Sequence, residues 1–171
     1  QAQNPLFEPF TGVEGTPRFS QFNDSLWEPA IDRGIELAKQ EIDAITMQRS
    51  RPDFENTIVA LERSGEDLDR VLNVFYPLLE ANSTDKMMEI AMSTSRKLSD
   101  YSTSIVLNEQ LWNRVNQVYQ DRALFNLNPE DSMLLQKTYD SFAQSGANLV
   151  GEDREKYRRL SAELSELTTQ F

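Results

Sequence analysis

The sequence contains neither histidine nor cysteine in its 171 residues. The first absence removes the imidazole that serves as a general base near neutral pH, and the second removes the thiolate nucleophile. Zinc sites built from Cys and His side chains are excluded for the same reason. We therefore expect no catalytic residue, no cofactor-binding residue and no metal ligand in this segment.

Positive charge is also scarce: the sequence has 17 Lys and Arg residues and 28 Asp and Glu residues, which gives a net charge of −11. Nucleic acids and anionic membranes both require a basic surface, so we expect no nucleic-acid partner. No apolar run approaches the roughly 20 residues of a membrane span, so we expect no membrane insertion. Cationic peptides are compatible ligands, although solubility is the simpler explanation of the charge.

Glycine and proline are few, and they concentrate at the N-terminus. Residues 1–23 combine these helix breakers with four phenylalanines. The breakers are Pro5, Pro9, Pro17, Gly12 and Gly15, and the phenylalanines are Phe7, Phe10, Phe19 and Phe22. So many aromatic residues do not suit a freely solvated tail. We predict an extended arm over 1–23 that lies on a surface.

A helical period dominates from 24 to 171, and it predicts an all-α domain of about six antiparallel amphipathic helices in a bundle-like array. The first helix begins near Asp24 or Ser25, with Pro29 tolerated in its first turn. Its apolar face is Trp27, Ile31, Ile35, Ala38, Ile42 and Ile45.

The second helix is predicted as one uninterrupted apolar seam of about 25 residues, from Phe54 to Leu79. The seam also contains Gly65, where a missing side chain permits a close helix crossing or a bend. Pro77 is expected to distort the last turn.

Four further helices follow the same pattern. The third starts at a Ser83/Thr84 cap, the fourth near Asn108, the fifth at Asn128-Pro129 with a stop at Gly146, and the sixth after Gly151. The apolar positions are Met87, Ala91, Thr94, Leu98, Tyr101 and Ile105 in the third helix, and Leu111, Val115 and Val118 in the fourth. They are Leu135, Thr138 and Phe142 in the fifth helix, and Tyr157, Leu160, Leu164, Leu167 and Phe171 in the sixth.

The sixth helix has no terminating signal, since no Gly, Pro or basic last turn follows it. Its apolar face extends to the final residue, Phe171. We expect that the natural chain continues, so that the domain over 24–171 is truncated at its C-terminus.

Two sets of side chains could mimic a site. Acidic clusters lie at 62–69 and 152–155, but they lack the spacing of a calcium loop, and a solvated helix face explains them better. Met87, Met88 and Met92 could form an adaptable peptide-binding surface, although Met87 lies on the apolar face. Trp27 and Trp112 are interpreted as packing residues, either of which could face a partner.

The stretch Phe54-Glu-Asn-Thr-Ile-Val-Ala-Leu-Glu-Arg-Ser-Gly65 resembles a signature of the zinc oligopeptidase family that includes thimet oligopeptidase, oligopeptidase A and peptidyl-dipeptidase Dcp. Further segments are similar in the same order: 4–6, 15–17, 29–31, 41–45, 126–130, 145–149, 160–167 and 170–171. The resemblance covers nearly the whole chain. The segments at 41–45 and 60–65 resemble the Dcp branch more than oligopeptidase A.

The resemblance implies that the chain is the N-terminal non-catalytic domain of a parent enzyme that hydrolyses short peptides, with its catalytic domain absent here. The family binds zinc through a His-Glu-x-x-His helix and a further Glu. No such motif exists in this sequence, so the family's site residues have no counterpart. The implied partners are the parent's catalytic domain and short peptides, with this segment in the wall of the substrate channel.

The alternative is a stand-alone helical binding or scaffold protein that uses a groove between helices. Such a protein is expected to have no large exposed apolar patch. The compartment stays open: a start at Gln1 fits an exported protein that has lost a signal peptide, and a cytoplasmic location is equally open.

Overall fold

Helices make up nearly all of the described chain. The computed structural model describes residues 5–7, 24–81, 83–146 and 152–169, and these ranges contain no β-strand. Six α-helices have 12 or more residues, and one short helix accompanies them; in chain order they are α1 (Asp24–Thr46), α2 (Ala60–Arg63), α3 (Glu66–Ala81), α4 (Asp85–Val106), α5 (Glu109–Gln120), α6 (Pro129–Gln144) and α7 (Glu152–Thr169). The predicted all-α class is confirmed.

Helix α1 buries the face that its sequence predicts. Every apolar position from Trp27 to Ile45 on that face is buried, because the spacing of three and four residues returns each side chain to the same side. Pro29 does not lie in the first turn as predicted. The helix already begins at Asp24, so Pro29 removes one hydrogen bond near the start of the helix.

The predicted second helix is wrong as a single element, because it is divided in two at Ser64 and Gly65. A π-helical turn, Phe54–Val59, leads into the short helix α2, and α3 starts at Glu66. Ser64 is extended with ψ of 139°, and Gly65 has φ of 81°. Glycine adopts this left-handed conformation without steric cost. The alternative of a bend at Gly65 is therefore the one that the chain adopts.

The remaining helices start where their capping residues predict. The side chains of Thr84, Asn108 and Asn128 each accept a hydrogen bond from the backbone N–H three residues later, at 2.8–3.1 Å. Each bond satisfies an otherwise orphaned donor of the first turn. Helix α6 ends before Gly146, whose φ of 82° fits a glycine that terminates a helix.

The described residues divide into two compact units. Those of Gln1–Lys39 and Gly65–Leu98 form the first, in which the Trp27 and Phe75 rings lie 5.3 Å apart. Helices α1 and α3 approach closely there, since a Cβ added to Gly34 would lie 3.0 Å from Leu68 Cα. Leu6, in a 3-10 turn over Pro5–Phe7 that contacts α3, is fully buried.

The second unit comprises the described residues of Gln40–Ser64 and Ser99–Phe171. Its core joins the end of α1, the π-helical turn, α5 and α6; the buried members are Ile42, Ile45, Phe54, Ile58, Leu111, Val115, Val118, Leu135 and Phe142. The predicted arm, apart from Pro5–Phe7, lies outside the described residues, as does Phe171.

Candidate functional site

No metal site is formed by the described residues. Nowhere in these ranges do three His, Cys, Asp or Glu side chains come together in a group that could hold a metal ion. The acidic residues that open α7, Glu152, Asp153 and Glu155, are all exposed, where they complement the positive end of the helix dipole. Among the described helices, none is long and apolar enough to cross a membrane.

The most constrained polar group of the second unit is the guanidinium of Arg114 on α5, which is only 8% exposed. Its Nη1 donates to the carbonyl oxygens of Gln48 and Ser50, at 3.3 and 3.2 Å. Its Nη2 donates to Asn56 Oδ1 at 3.1 Å, whereas Nε is buried without a partner. Burial lowers the pKa of Arg114, but a guanidinium remains protonated at physiological pH.

Asn56 connects Arg114 to the loop that follows α1. Its Oδ1 accepts a hydrogen bond from the Asp53 N–H at 2.9 Å, and the Asp53 carboxylate accepts one from the Asn56 N–H at 2.7 Å. This reciprocal pair is a capping box. The Asn56 side-chain amide also donates to the carbonyl of Arg51 at 3.0 Å. Arg114 and Asn56 together fix the loop between α1 and the π-helical turn.

An ion pair joins the same loop to the end of α5. Arg51 Nη2 lies 2.9 Å from Asp121 Oδ2. The hydrogen bond from Arg51 lowers the pKa of Asp121, and a further bond from Gln117 acts in the same direction. In the first unit, Lys97 Nζ donates hydrogen bonds to the carboxylates of Asp32, at 2.7 Å, and Glu28, at 3.3 Å. The bond to Asp32 is the main cause that raises the pKa of Lys97.

An aromatic ladder runs along the surface of α5 and α6. Trp112 lies 5.4 Å from Tyr139, and Tyr139 stacks on Tyr119 at 3.8 Å with an interplanar angle of 12°. The guanidinium of Arg122 lies 4.2 Å from the Tyr119 ring centroid, a cation–π contact. A shallow cleft of about 400 Å³ borders the ladder at Tyr119, Arg122 and Gln136. Trp112 is therefore a half-buried packing residue, whereas Trp27 is fully part of the first unit's interior.

Helix α7 is held to the second unit by its polar side. Arg154 donates to the carbonyl of Leu107, beyond the end of α4, and its Nη1 lies 3.4 Å from Glu109 Oε2. A cleft of about 490 Å³ lies between α4 and α7. Small and hydroxyl-bearing residues line it, among them Thr103 of α4 and Ser161 of α7.

The apolar side of α7 is exposed. Leu160, Leu164 and Leu167, called here the α7 leucine face, are 55%, 65% and 55% exposed. The predicted apolar face of this helix is present, but its three leucines stay more than half exposed among the described residues. The polar contacts of α7 are made instead by Arg154, on another side of the helix. Among the methionines, Met87 is buried as predicted, while Met88 and Met92 are exposed.

Sequence reasoning did not identify Arg114. The available signal was its position between Leu111 and Val118 on the apolar side of α5, where a charged residue is unusual. Its partners are backbone carbonyls about 65 positions earlier in the chain, which no local pattern indicates.

Three comparisons with curated proteins cover nearly the whole chain. The dipeptidyl carboxypeptidases of Escherichia coli (strain K12) and Salmonella typhimurium (strain LT2) are 35% and 34% identical to it over 168 residues, which is 98% of the chain. Oligopeptidase A of Haemophilus influenzae is 25% identical over 97% of the chain. No protein-family model matches the sequence.

The chain spans about a quarter of the length of these relatives, since the matched part is 25%, 25% and 24% of each. Identity is higher to the dipeptidyl carboxypeptidases than to oligopeptidase A, in agreement with the preference drawn from the segments at 41–45 and 60–65.

Proposed function

The chain belongs to the peptidase family of dipeptidyl carboxypeptidase and oligopeptidase A, and from this premise we propose that it is the N-terminal non-catalytic domain of a zinc-dependent oligopeptidase. The parent enzyme hydrolyses short peptides and releases C-terminal dipeptides. The observation that carries the proposal is the similarity of 98% of the chain to a quarter of each dipeptidyl carboxypeptidase.

Zinc, on this proposal, is bound by the part of the parent that is not matched here. The residues of this chain do not fit a zinc site of the His-Glu-x-x-His kind, because the 171 residues contain no histidine. Carboxylates alone suit harder cations, and the described ones form no group around a common centre. No chemical step is therefore assigned to this chain.

Its contribution is steric: the helices form part of the wall of the substrate channel and limit access to short, unfolded peptides. Rigid helices suit this role, because a channel wall excludes large or folded substrates only if its own structure does not change when they approach. The Arg114 and Asn56 network supports the proposal, since it fixes an otherwise irregular loop by at least five hydrogen bonds.

The alternative of a stand-alone binding or scaffold protein is less well supported. It predicts a self-contained chain, whereas 98% of this chain matches only a quarter of each dipeptidyl carboxypeptidase. Fold alone does not distinguish the two functions.

The proposal is tested on the full-length parent enzyme and on the 171-residue chain. Short peptides are supplied, and released dipeptides are identified by mass spectrometry. We expect dipeptide release from the full-length enzyme, its loss with a zinc chelator, and none from the 171-residue chain. Release of dipeptides by the 171-residue chain, or none by the full-length enzyme, would contradict the assignment.

The position in the channel wall is tested separately with a peptide substrate that carries a photoreactive group. We expect competitor-sensitive labelling of residues within this chain in the full-length enzyme. Labelling confined to the rest of the parent would overturn the channel-wall role and leave the family assignment intact.

A further inference from the structure

We propose that the α7 leucine face is the docking surface for the unmatched remainder of the parent polypeptide. This inference rests on the proposed function, because it takes the chain to be part of a longer enzyme. It goes further by naming the surface and its occupant.

Helices α5 and α7 carry apolar triads with the same spacing. Leu111, Val115 and Val118 on α5 are separated by four and three residues and are fully buried. The α7 leucine face has the identical spacing but is more than half exposed at each position. The pattern therefore encodes a buried face on both helices, and only α5 has its cover among the described residues.

The polar contacts of α7 lie on a different side of the helix from its leucines. Arg154 bonds to the Leu107 carbonyl and pairs with Glu109, while Arg158 and Ser161 line the cleft toward α4. Both bonds are made by Arg154 in the first turn, on a different side of the helix from the leucines. The α7 leucine face is thus available to a further layer of structure.

The occupant is inferred from the length of the relatives and the size of the face. The relatives are about four times as long as the matched region, so a tethered neighbour of ample size exists in each. The α7 leucine face extends over only roughly 10 Å of helix from Leu160 to Leu167. A stable interface between separate proteins, in contrast, buries about 800 Å² on each partner. A second copy would need a far larger face. A neighbour in the same polypeptide does not, because tethering supplies a high effective concentration.

The test measures thiol protection in the full-length enzyme carrying Leu164→Cys, with Met133→Cys as the control. The two native residues are 65% and 63% exposed, and this chain contributes no other cysteine. Alkylation at each site is followed by peptide mapping, before and after denaturation. We expect Cys at 164 to react at least about tenfold more slowly in the folded enzyme than in the denatured enzyme, because access limits thiol reactivity.

A rate at position 164 that is unchanged by denaturation would overturn the proposal. Protection that disappears on dilution would also overturn it, because the occupant would then be a second copy. Leu160→Cys is the second variant if Leu164→Cys does not fold. Peptide hydrolysis is assayed on the same samples, so an inactive enzyme with a protected thiol refutes the proposed function alone.

The occupant is identified by a photo-crosslinking amino acid at position 167 of the full-length enzyme. We expect the crosslinked peptide to come from the sequence that follows this chain. A crosslink to residues 1–23, or to a second copy, would overturn the assignment of the occupant.

Discussion

Arg114 shows how one buried cation can determine the path of a loop. Its two terminal nitrogens face two carbonyls and one amide oxygen, so the positive charge is compensated by dipoles rather than by a bonded carboxylate. The fork of the guanidinium suits this task, because a lysine ammonium cannot present two donors at a fixed angle.

Replacing Arg114 by Met is expected to lower the free energy of unfolding by about 1.5–3 kcal/mol, because the half-buried carbonyls of Gln48 and Ser50 would lose their charged donor. Arg114→Lys is the matched control and should show an intermediate loss, since it keeps the charge but not the fork. Chemical denaturation measures both values. An Arg114→Met protein as stable as the unsubstituted one would contradict the role given to this residue.

The Arg51–Asp121 pair predicts a pH dependence of known sign. The hydrogen bond from Arg51 places the pKa of folded Asp121 below its ordinary value, which is about 3.9 in unfolded chains. The pair therefore stabilises the fold above that pH, and the contribution is lost as the pH falls through the folded pKa. Thermal unfolding should show Asp121→Asn less stable at neutral pH, and the difference from the unsubstituted protein should disappear as the pH falls below the folded pKa of Asp121.

Arg51→Met is the control for this prediction. It should show the same small loss at neutral pH and the same convergence in acid, because it removes the other half of one interaction. A difference between Asp121→Asn and the unsubstituted protein that persists unchanged in acid would refute the ion-pair explanation.

At the scale of elements, the close helix crossing and the bend, both predicted as alternatives at Gly65, occur at two different glycines. Gly65 provides the break between α2 and α3 through its positive φ. The close helix crossing lies instead at Gly34, against Leu68. Both positions fall within an unbroken apolar rhythm, so periodicity alone could not show which glycine bends the chain and which one admits a neighbour.

Gly65→Ala is expected to cost about 1–2 kcal/mol of stability, because a Cβ disfavours the left-handed conformation by that amount. Gly65→Asn should cost less, since asparagine tolerates this conformation through its short polar side chain. Denaturant unfolding of the two variants gives the comparison. Equal or higher stability of Gly65→Ala would show that the break does not require a positive φ.

At Gly34 two effects of alanine compete. Helix propensity alone predicts a gain of about 1 kcal/mol on replacing a helical glycine by alanine. The added Cβ, however, would meet the Leu68 backbone at 3.0 Å, and overpacking typically costs about 1–3 kcal/mol. We expect the clash to prevail and Gly34→Ala to lower the unfolding midpoint. A raised midpoint would mean that α1 and α3 separate easily.

The sequence predicted helices well where the covering partner lies within the chain. The apolar faces of α1 and α5 are buried as their spacing requires, and Thr84, Asn108 and Asn128 cap the helices that they precede. Periodicity specifies which side of a helix is apolar but not what covers it. For that reason the apolar face of α7 was predicted without its cover, and Arg114, whose partners are remote in sequence, was missed.

At the scale of the whole molecule, the chain combines a surplus of negative charge with the exposed α7 leucine face. The net charge of −11 favours solubility and counteracts association through that face. We therefore expect any tendency of the 171-residue chain to associate to depend on the α7 leucine face.

That tendency is tested in the 171-residue protein by Leu164→Glu and by Val115→Glu, which occupy the middle position of matched triads on α7 and α5. Leu164→Glu should change the unfolding free energy by less than about 0.5 kcal/mol and reduce binding of a hydrophobic dye, because Leu164 is exposed. Val115→Glu should prevent folding, because it buries an unpaired charge in the core. A large loss of stability in Leu164→Glu would show that the face is already covered, so the pair of variants separates an uncovered face from a packed one of the same sequence pattern.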